Sequence, residues 1–180
     1  MCNRKTYLLI AFFVYVLLAI AKTADTQGNL KLNSSALTNN GHIPVKFTCS
    51  GDNESPALAW SNVPPSAKSL TLIVKDPDAP SGDFVHWVIF DIPATVTSMP
   101  EGVAATAETT FGATQGQNGR GETGYTGPCP PPGKDHHYHF RLYALDEGLG
   151  LNSDVGAAQV ESAMQGHILA QTDLVGVFAR

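Results

Sequence analysis

The chain has 180 residues, 43% of them hydrophobic and 15% charged, and a formal net charge of −5. That length and balance suit one globular domain with a sizeable core and leave no need for a second. With an acidic excess and no cluster of Lys or Arg, nucleic acid and other polyanions are excluded as expected partners.

At the start, Arg4 and Lys5 precede an unbroken apolar stretch, Tyr7–Ala21, ending in the small-x-small triplet Ala19-Ile20-Ala21. Short for a membrane span and followed by polar residues, this reads as a signal peptide over residues 1–21, with an uncleaved anchor as the alternative. Cleavage would remove two basic residues and no acid, leaving 9 Lys and Arg against 16 Asp and Glu, a charge of −7. The mature chain is then expected to be exported, periplasmic or secreted, with no stable membrane span. Residues 22–29 form a polar leader, and the folded domain is expected over 30–180.

Leu30–Leu37 and Ile43–Cys49 read as strands separated by the turn Asn39-Asn40-Gly41-His42, the second with Ile43, Val45 and Phe47 on one face. A loop over Cys49–Pro56, a short strand at Ala57–Trp60 and a turn at Pro64-Pro65 follow. In the strand Ser69–Asp76, alternation places Leu70, Leu72, Val74 and Asp76 on one face, so an apolar face ends in a carboxylate. After the turn opened by Asp76-Pro77-Asp78, a second run places His86, Val88, Phe90 and Ile92 together. Val85, Trp87 and Ile89 make its other face apolar too, which predicts a central strand covered on both sides.

Gly112–Gly127 contains six glycines and reads as a long, mobile, irregular connection near the site. It lacks the GxxxxGK[ST] string of a phosphate loop, and no cofactor is expected. Pro128–Gly133 is a stiff wall, because each proline fixes φ. In the strand His136–Leu145, His136, Tyr138, Phe140, Leu142 and Ala144 share a face, while His137, His139 and Arg141 point away. A helix capped at Ser153 or Asp154 and stopped by Gly166 leads to a last strand, Ile168–Phe178. Many short strands, turn signals and one or two short helices predict a mostly β fold, an antiparallel Greek-key β-sandwich.

Cys49 and Cys129 remain after cleavage. In an exported chain such a pair points to a disulfide, and the alternative is two buried free thiols. Three strands that each carry an ionisable group at a core-facing end, Asp76, His86 and His136, predict one polar pocket if those ends converge. A buried carboxylate needs a partner, and the two histidines are the candidates. For Asp78 a turn-capping role is the simpler reading. Imidazole donors, backbone N–H groups near Gly127 and the rings of Trp87 and Tyr138 suit a small anion. A two-His-one-carboxylate metal site or a hydrolytic centre is the third reading, after an interaction protein that acts through surface loops.

At these residues the sequence resembles the phosphatidylethanolamine-binding protein family, in particular its bacterial Raf-kinase-inhibitor-like branch. Two strings carry the resemblance, DPDAPSGDFVHWVIFDIP at Asp76–Pro93 and GYTGPCPPPGKDHHYHFRLYALD at Gly124–Asp146, supported by Phe47–Trp60 and by the segment from Gly166 to Arg180. The resemblance implies a β-sandwich with a shallow pocket for phosphate-type groups and phospholipid head groups. By matching position, that pocket would use Asp76, Asp78, Pro80, His86, Gly127, Pro130, Pro131, His136 and Tyr138. The expected function is an exported, non-enzymatic binding protein for a small phosphate-bearing ligand. The alternative is a modulator of proteases or kinases that binds a protein partner.

Overall fold

A computed structural model describes residues 29–180. The expected signal peptide and nearly all of the expected polar leader lie outside the described residues.

Among the described residues, nine strands form two sheets with a core between them, and one short α-helix lies on the larger sheet. The strands are β1 (Lys31–Asn33), β2 (Gly41–His42), β3 (Leu58–Ser61), β4 (Ser69–Asp76), β5 (Phe84–Pro93), β6 (Ser98–Met99), β7 (Thr114–Gln115), β8 (His136–Leu145) and β9 (Ile168–Phe178). The small sheet runs β1-β3-β6 and the large one β2-β9-β8-β4-β5-β7. All neighbours are antiparallel except the parallel pair β2 and β9. Leu32, Leu58, Trp60 and Met99 of the small sheet pack on Leu70, Leu72, Val74, Phe140 and Leu142 of the large one. The opposite face of the large sheet buries Ile73, Val88, Phe90 and Tyr143 beneath helix α1 (Ala157–Ala163). The large sheet is thus apolar on both sides, as the continuous runs of β4 and β5 require.

Strands β4, β8 and β9 keep the bounds expected for them, because each is long and strongly patterned. Elsewhere local chemistry wins. Ile43–Cys49 is not a strand: after Pro44 the chain closes a 3-10 turn at Val45–Phe47, with Phe47 N–H donating to Pro44 O at 3.0 Å. Proline fixes φ near the helical value and so favours the turn, leaving Val45 exposed. Helix α1 begins at Ala157, past the expected caps Ser153 and Asp154, because Val155 O is taken by Gln117 N–H at 2.8 Å and Gly156 pairs with Gln117. Gly166, with φ +86°, ends the helical region as anticipated.

Strict alternation also breaks in β5. Val74 pairs with Trp87 but Lys75 pairs with Val85, so His86 is the extra residue of a bulge. A second irregularity separates Ile89 from Ile92, where Asp91 sits at φ +53° and its carboxylate accepts Leu149 and Gly150 N–H. Trp87, Ile89 and Ile92 therefore face the inter-sheet core while Val88 and Phe90 face α1. The expected grouping of His86, Val88, Phe90 and Ile92 on one face does not hold.

Cys49 and Cys129 form a disulfide, with a Cα–Cα distance of 5.4 Å and 80 residues of separation. Beside it, Cys49 N–H donates to Pro128 O at 3.1 Å. The bridge joins the loop after the 3-10 turn to the Pro-rich wall. Cross-linking across so long a loop restricts the unfolded chain, so Cys49→Ser/Cys129→Ser should lower the unfolding free energy by about 2–5 kcal/mol. Urea denaturation followed by tryptophan fluorescence measures it.

Candidate functional site

Antiparallel order brings the expected residues together. In a sheet ordered β8-β4-β5, the C-terminal end of β4 lies beside the N-terminal ends of both neighbours. Asp76 closes β4, while His136 opens β8 and His86 lies near the start of β5. All three are buried, at 3%, 4% and 1% exposure for Asp76, His86 and His136. The alternation rule placed Asp76 and His136 correctly. His86 comes to the same pocket through the bulge, a route the sequence pattern did not give.

Asp76 uses both carboxylate oxygens. Oδ1 accepts Asp78 N–H at 2.9 Å, closing the turn after β4, and Oδ2 pairs with His136 Nδ1 at 2.8 Å. A buried carboxylate is costly unless paired and hydrogen-bonded, and this one is both. His86 does not pair with Asp76. Its Nδ1 lies 2.6 Å from Thr126 O, and Thr126 N–H donates to His86 O at 2.9 Å. Burial holds the His86 imidazole below its ordinary pKa of 6.5; the Thr126 hydrogen bond and the Asp76 charge oppose this, and the Arg120 cation adds to it. His86 is therefore neutral at pH 7, with Nδ1–H donating to Thr126 O and Nε2 carrying the lone pair.

Above these residues lies a cavity of about 320 Å³. Asp76, Pro80, Ser81, Phe84 and His86 line it from the first motif, and Cys129, Pro130, Pro131 and His136 line it from the second. The proline wall therefore stands where the fixed backbone suggested. Arg120 completes the lining. Its Nε donates to Thr126 Oγ1 at 3.1 Å.

Three of the expected residues serve the fold around the cavity and do not line it. Asp78 Oδ2 accepts His137 N–H at 2.9 Å and contacts His137 Nδ1 at 2.7 Å, tying the turn to β8. The hydrogen bond from His137 lowers the Asp78 pKa. Gly127 does not offer its N–H to a guest, because that group donates to Asn53 Oδ1 at 2.8 Å. Its glycine identity is steric: a Cβ there would lie 2.5 Å from Phe47 O. Tyr138 is buried edge-on to His86, with ring centroids 5.1 Å apart. Its hydroxyl makes no well-formed hydrogen bond but lies near Asp76, and burial, then the Asp76 charge and a weak interaction with its carboxylate, raise its pKa. His139 also faces away, against Asp173 at 2.7 Å.

Arg120 is the residue that sequence reasoning missed. It sits in the glycine-rich connection, where no alternation rule assigns a face. One signal was present: Arg120 is the sole Lys or Arg between Lys75 and Lys134. Among the described residues, His and acidic ligand atoms within 4.8 Å of one another occur at Asp146, Glu147 and His167. That group follows the far end of β8 from His136, and Asp76, His86 and His136, the set considered for a metal, do not form such a group.

The family model described as phosphatidylethanolamine-binding protein matches residues 33–179. A curated UPF0098 protein from Methanothermobacter thermautotrophicus is 46% identical over 151 residues, 84% of this chain and 99% of the relative. One from Pyrococcus horikoshii is 39% identical over 180 aligned positions, 98% of this chain and 90% of the relative. Among solved structures, a putative phosphatidylethanolamine-binding protein homologue from Chlamydia trachomatis aligns with a TM-score of 0.77 at 39% identity, covering 84% of this chain and 97% of that one. E. coli YbcL, described as a new member of the mammalian PEBP family, aligns with a TM-score of 0.78 at 33% identity, covering 84% and 98%.

The geometry yields two measurable consequences. Asp76→Ala would leave buried His136 Nδ1 and the Asp78 N–H without their acceptor, so it should destabilise the fold by about 1–3 kcal/mol for each group in urea denaturation. The second concerns pH. Unfolded His86 takes up a proton near 6.5 and folded His86 only at lower pH, so the unfolded state binds more protons and stability falls as pH drops through 6.5. Stability measured from pH 7.5 to 5 should fall less steeply in His86→Gln than in the unaltered chain.

Proposed function

The chain belongs to the phosphatidylethanolamine-binding protein family, and from that premise we propose that it is an exported, non-enzymatic binding protein whose cavity takes a small phosphate-type anion. The observation that supports this most directly is the meeting of the Arg120 cation with two imidazoles, His86 and His136, on one cavity of about 320 Å³. Asp76 does not argue for a cation in their place. One of its oxygens is engaged by a backbone N–H and the other by His136, so the pair presents its imidazole edge to a guest.

The polar groups face apolar walls. Pro80, Phe84, Pro130 and Pro131 bound the cavity and lower the local dielectric, which strengthens charge-assisted hydrogen bonds to an anion. The size suits a phosphate or a phosphomonoester head group better than a whole phospholipid. Export is supported by the apolar N-terminal stretch of the sequence and by the Cys49–Cys129 disulfide. No helix of the described residues is long and apolar enough to cross a membrane.

Calorimetric titration with sulfate, inorganic phosphate and phosphoethanolamine tests the reading. Binding is expected, and Arg120→Gln should weaken it by roughly 1.5–3 kcal/mol, about ten- to hundredfold in Kd. Since His86 is neutral at pH 7 and an anion favours its protonated form, affinity for sulfate should rise as pH falls below 6.5. Sulfate keeps a constant charge across this range, so the trend reports the protein. Absence of heat with all three ligands, or unchanged binding in His136→Ala, would overturn the proposal.

A further inference from the structure

The two sulfurs of the disulfide are not equivalent. Cys49 is exposed, whereas Cys129 is half-buried and lines the cavity beside Pro130 and Pro131. Arg180 Nη1 lies 3.5 Å from Cys129 Sγ and donates toward it. An incoming thiolate therefore meets Cys49 first. A thiolate released at Cys129 would form next to a guanidinium cation, which lowers a thiol's pKa and makes it the better leaving group. Access and leaving-group strength select the same direction of exchange.

The position gives that exchange a structural consequence. Pro130, Pro131 and Pro132 have no N–H with which to anchor the wall. The disulfide is the covalent tie between that wall and the loop that begins at Cys49.

We propose that Cys49–Cys129 is a thiol-exchange site on the cavity rim, where a small-molecule thiol adds to Cys49, Cys129 leaves as a thiolate held by Arg180, and the proline wall is untied. In the first step the thiol gives its proton to solvent and its sulfur bonds Cys49 Sγ. The Cys49–Cys129 bond breaks with its electron pair on Cys129 Sγ. A second thiol then attacks the mixed disulfide at the sulfur of the first thiol and frees Cys49. Two thiols are oxidised to one small disulfide, and the protein bridge is reduced by two electrons.

The full chain, native and without denaturant, is incubated with reduced glutathione, quenched with N-ethylmaleimide and mapped by peptide mass spectrometry. The expected early product carries glutathione on Cys49 and maleimide on Cys129. Arg180→Gln should slow its formation by about threefold for each pKa unit the guanidinium supplies, at a Brønsted slope near 0.5, and Arg180→Lys should restore most of the rate. High salt should bring the unaltered chain toward the Arg180→Gln rate, because the contact is exposed. Glutathione found on Cys129, equal rates for Arg180→Gln and the unaltered chain, or modification only after unfolding in urea would overturn the assignment.

The effect on the wall rests on the phosphate-binding reading, and a separate titration keeps the two apart. Reduced and alkylated protein should bind phosphate more weakly than the disulfide form. Equal binding by both overturns the link to the cavity, and binding by neither overturns the anion reading. The glutathione map stands or falls on its own.

Discussion

The contact between Asp76 and His136 fixes the rim on which the rest of the site depends. β4 lies between β8 and β5 in the large sheet, so its last residue sits beside the first residues of both neighbours. One oxygen of Asp76 closes the turn that leads into β5, and the other holds the first residue of β8. A single buried side chain thereby sets the spacing of three strand ends. The apolar residues before it, Leu70, Leu72 and Val74, are almost fully buried and hold the register of β4, since a shift of one residue would move that face to the layer beneath α1 and carry Asp76 away from His136.

Much of this could be read from the sequence because it depends on long alternating runs. β8 and β9 combine a buried face with polar residues on the other, and β4 carries Leu70, Leu72 and Val74 along one face until it meets Asp76, so their bounds and the inward direction of Asp76 and His136 followed from period two alone. The run of prolines gave the stiff wall, and the family strings then placed Pro130 and Pro131 at the pocket. What could not be read was set by contacts distant in sequence. His86 is expelled from alternation by a bulge, and bulges leave no mark in the pattern of apolar residues. The 3-10 turn at Val45–Phe47 was partly visible in Pro44, but the alternation of Ile43, Val45 and Phe47 pointed more strongly to a strand. The N–H of Gly127 is consumed by Asn53, a partner 74 residues away, which spacing cannot reveal.

The glycine-rich connection shows how packing can imitate looseness in a sequence. Six glycines suggested a mobile loop. In the structure the segment is laid against β5, with Gly116 N–H donating to Val88 O at 3.0 Å, Gly119 N–H to Val85 O at 2.7 Å and Thr126 N–H to His86 O at 2.9 Å. The glycines permit that approach. A Cβ on Gly116 would lie 2.5 Å from Val155 O, and one on Gly119 would lie 2.8 Å from the Phe84 ring. The same segment covers an edge of the large sheet that would otherwise present unpaired backbone groups, and it delivers Arg120 to the cavity.

Arg120 and His86 are linked through charge in a way that matters for the proposed ligand. Burial already disfavours a proton on His86, and the Arg120 cation disfavours it further. The two groups thus oppose each other, and the imidazole stays neutral at pH 7. The proposed anion, placed between them, would attract the charge of Arg120 and stabilise a new charge on His86, offsetting that repulsion. Folding and anion binding consequently act on the same imidazole in opposite directions: the first lowers its proton affinity and the second raises it. If the cavity takes an anion as proposed, proton uptake on binding would fall to His86, with Arg120 supplying the attraction that persists at higher pH.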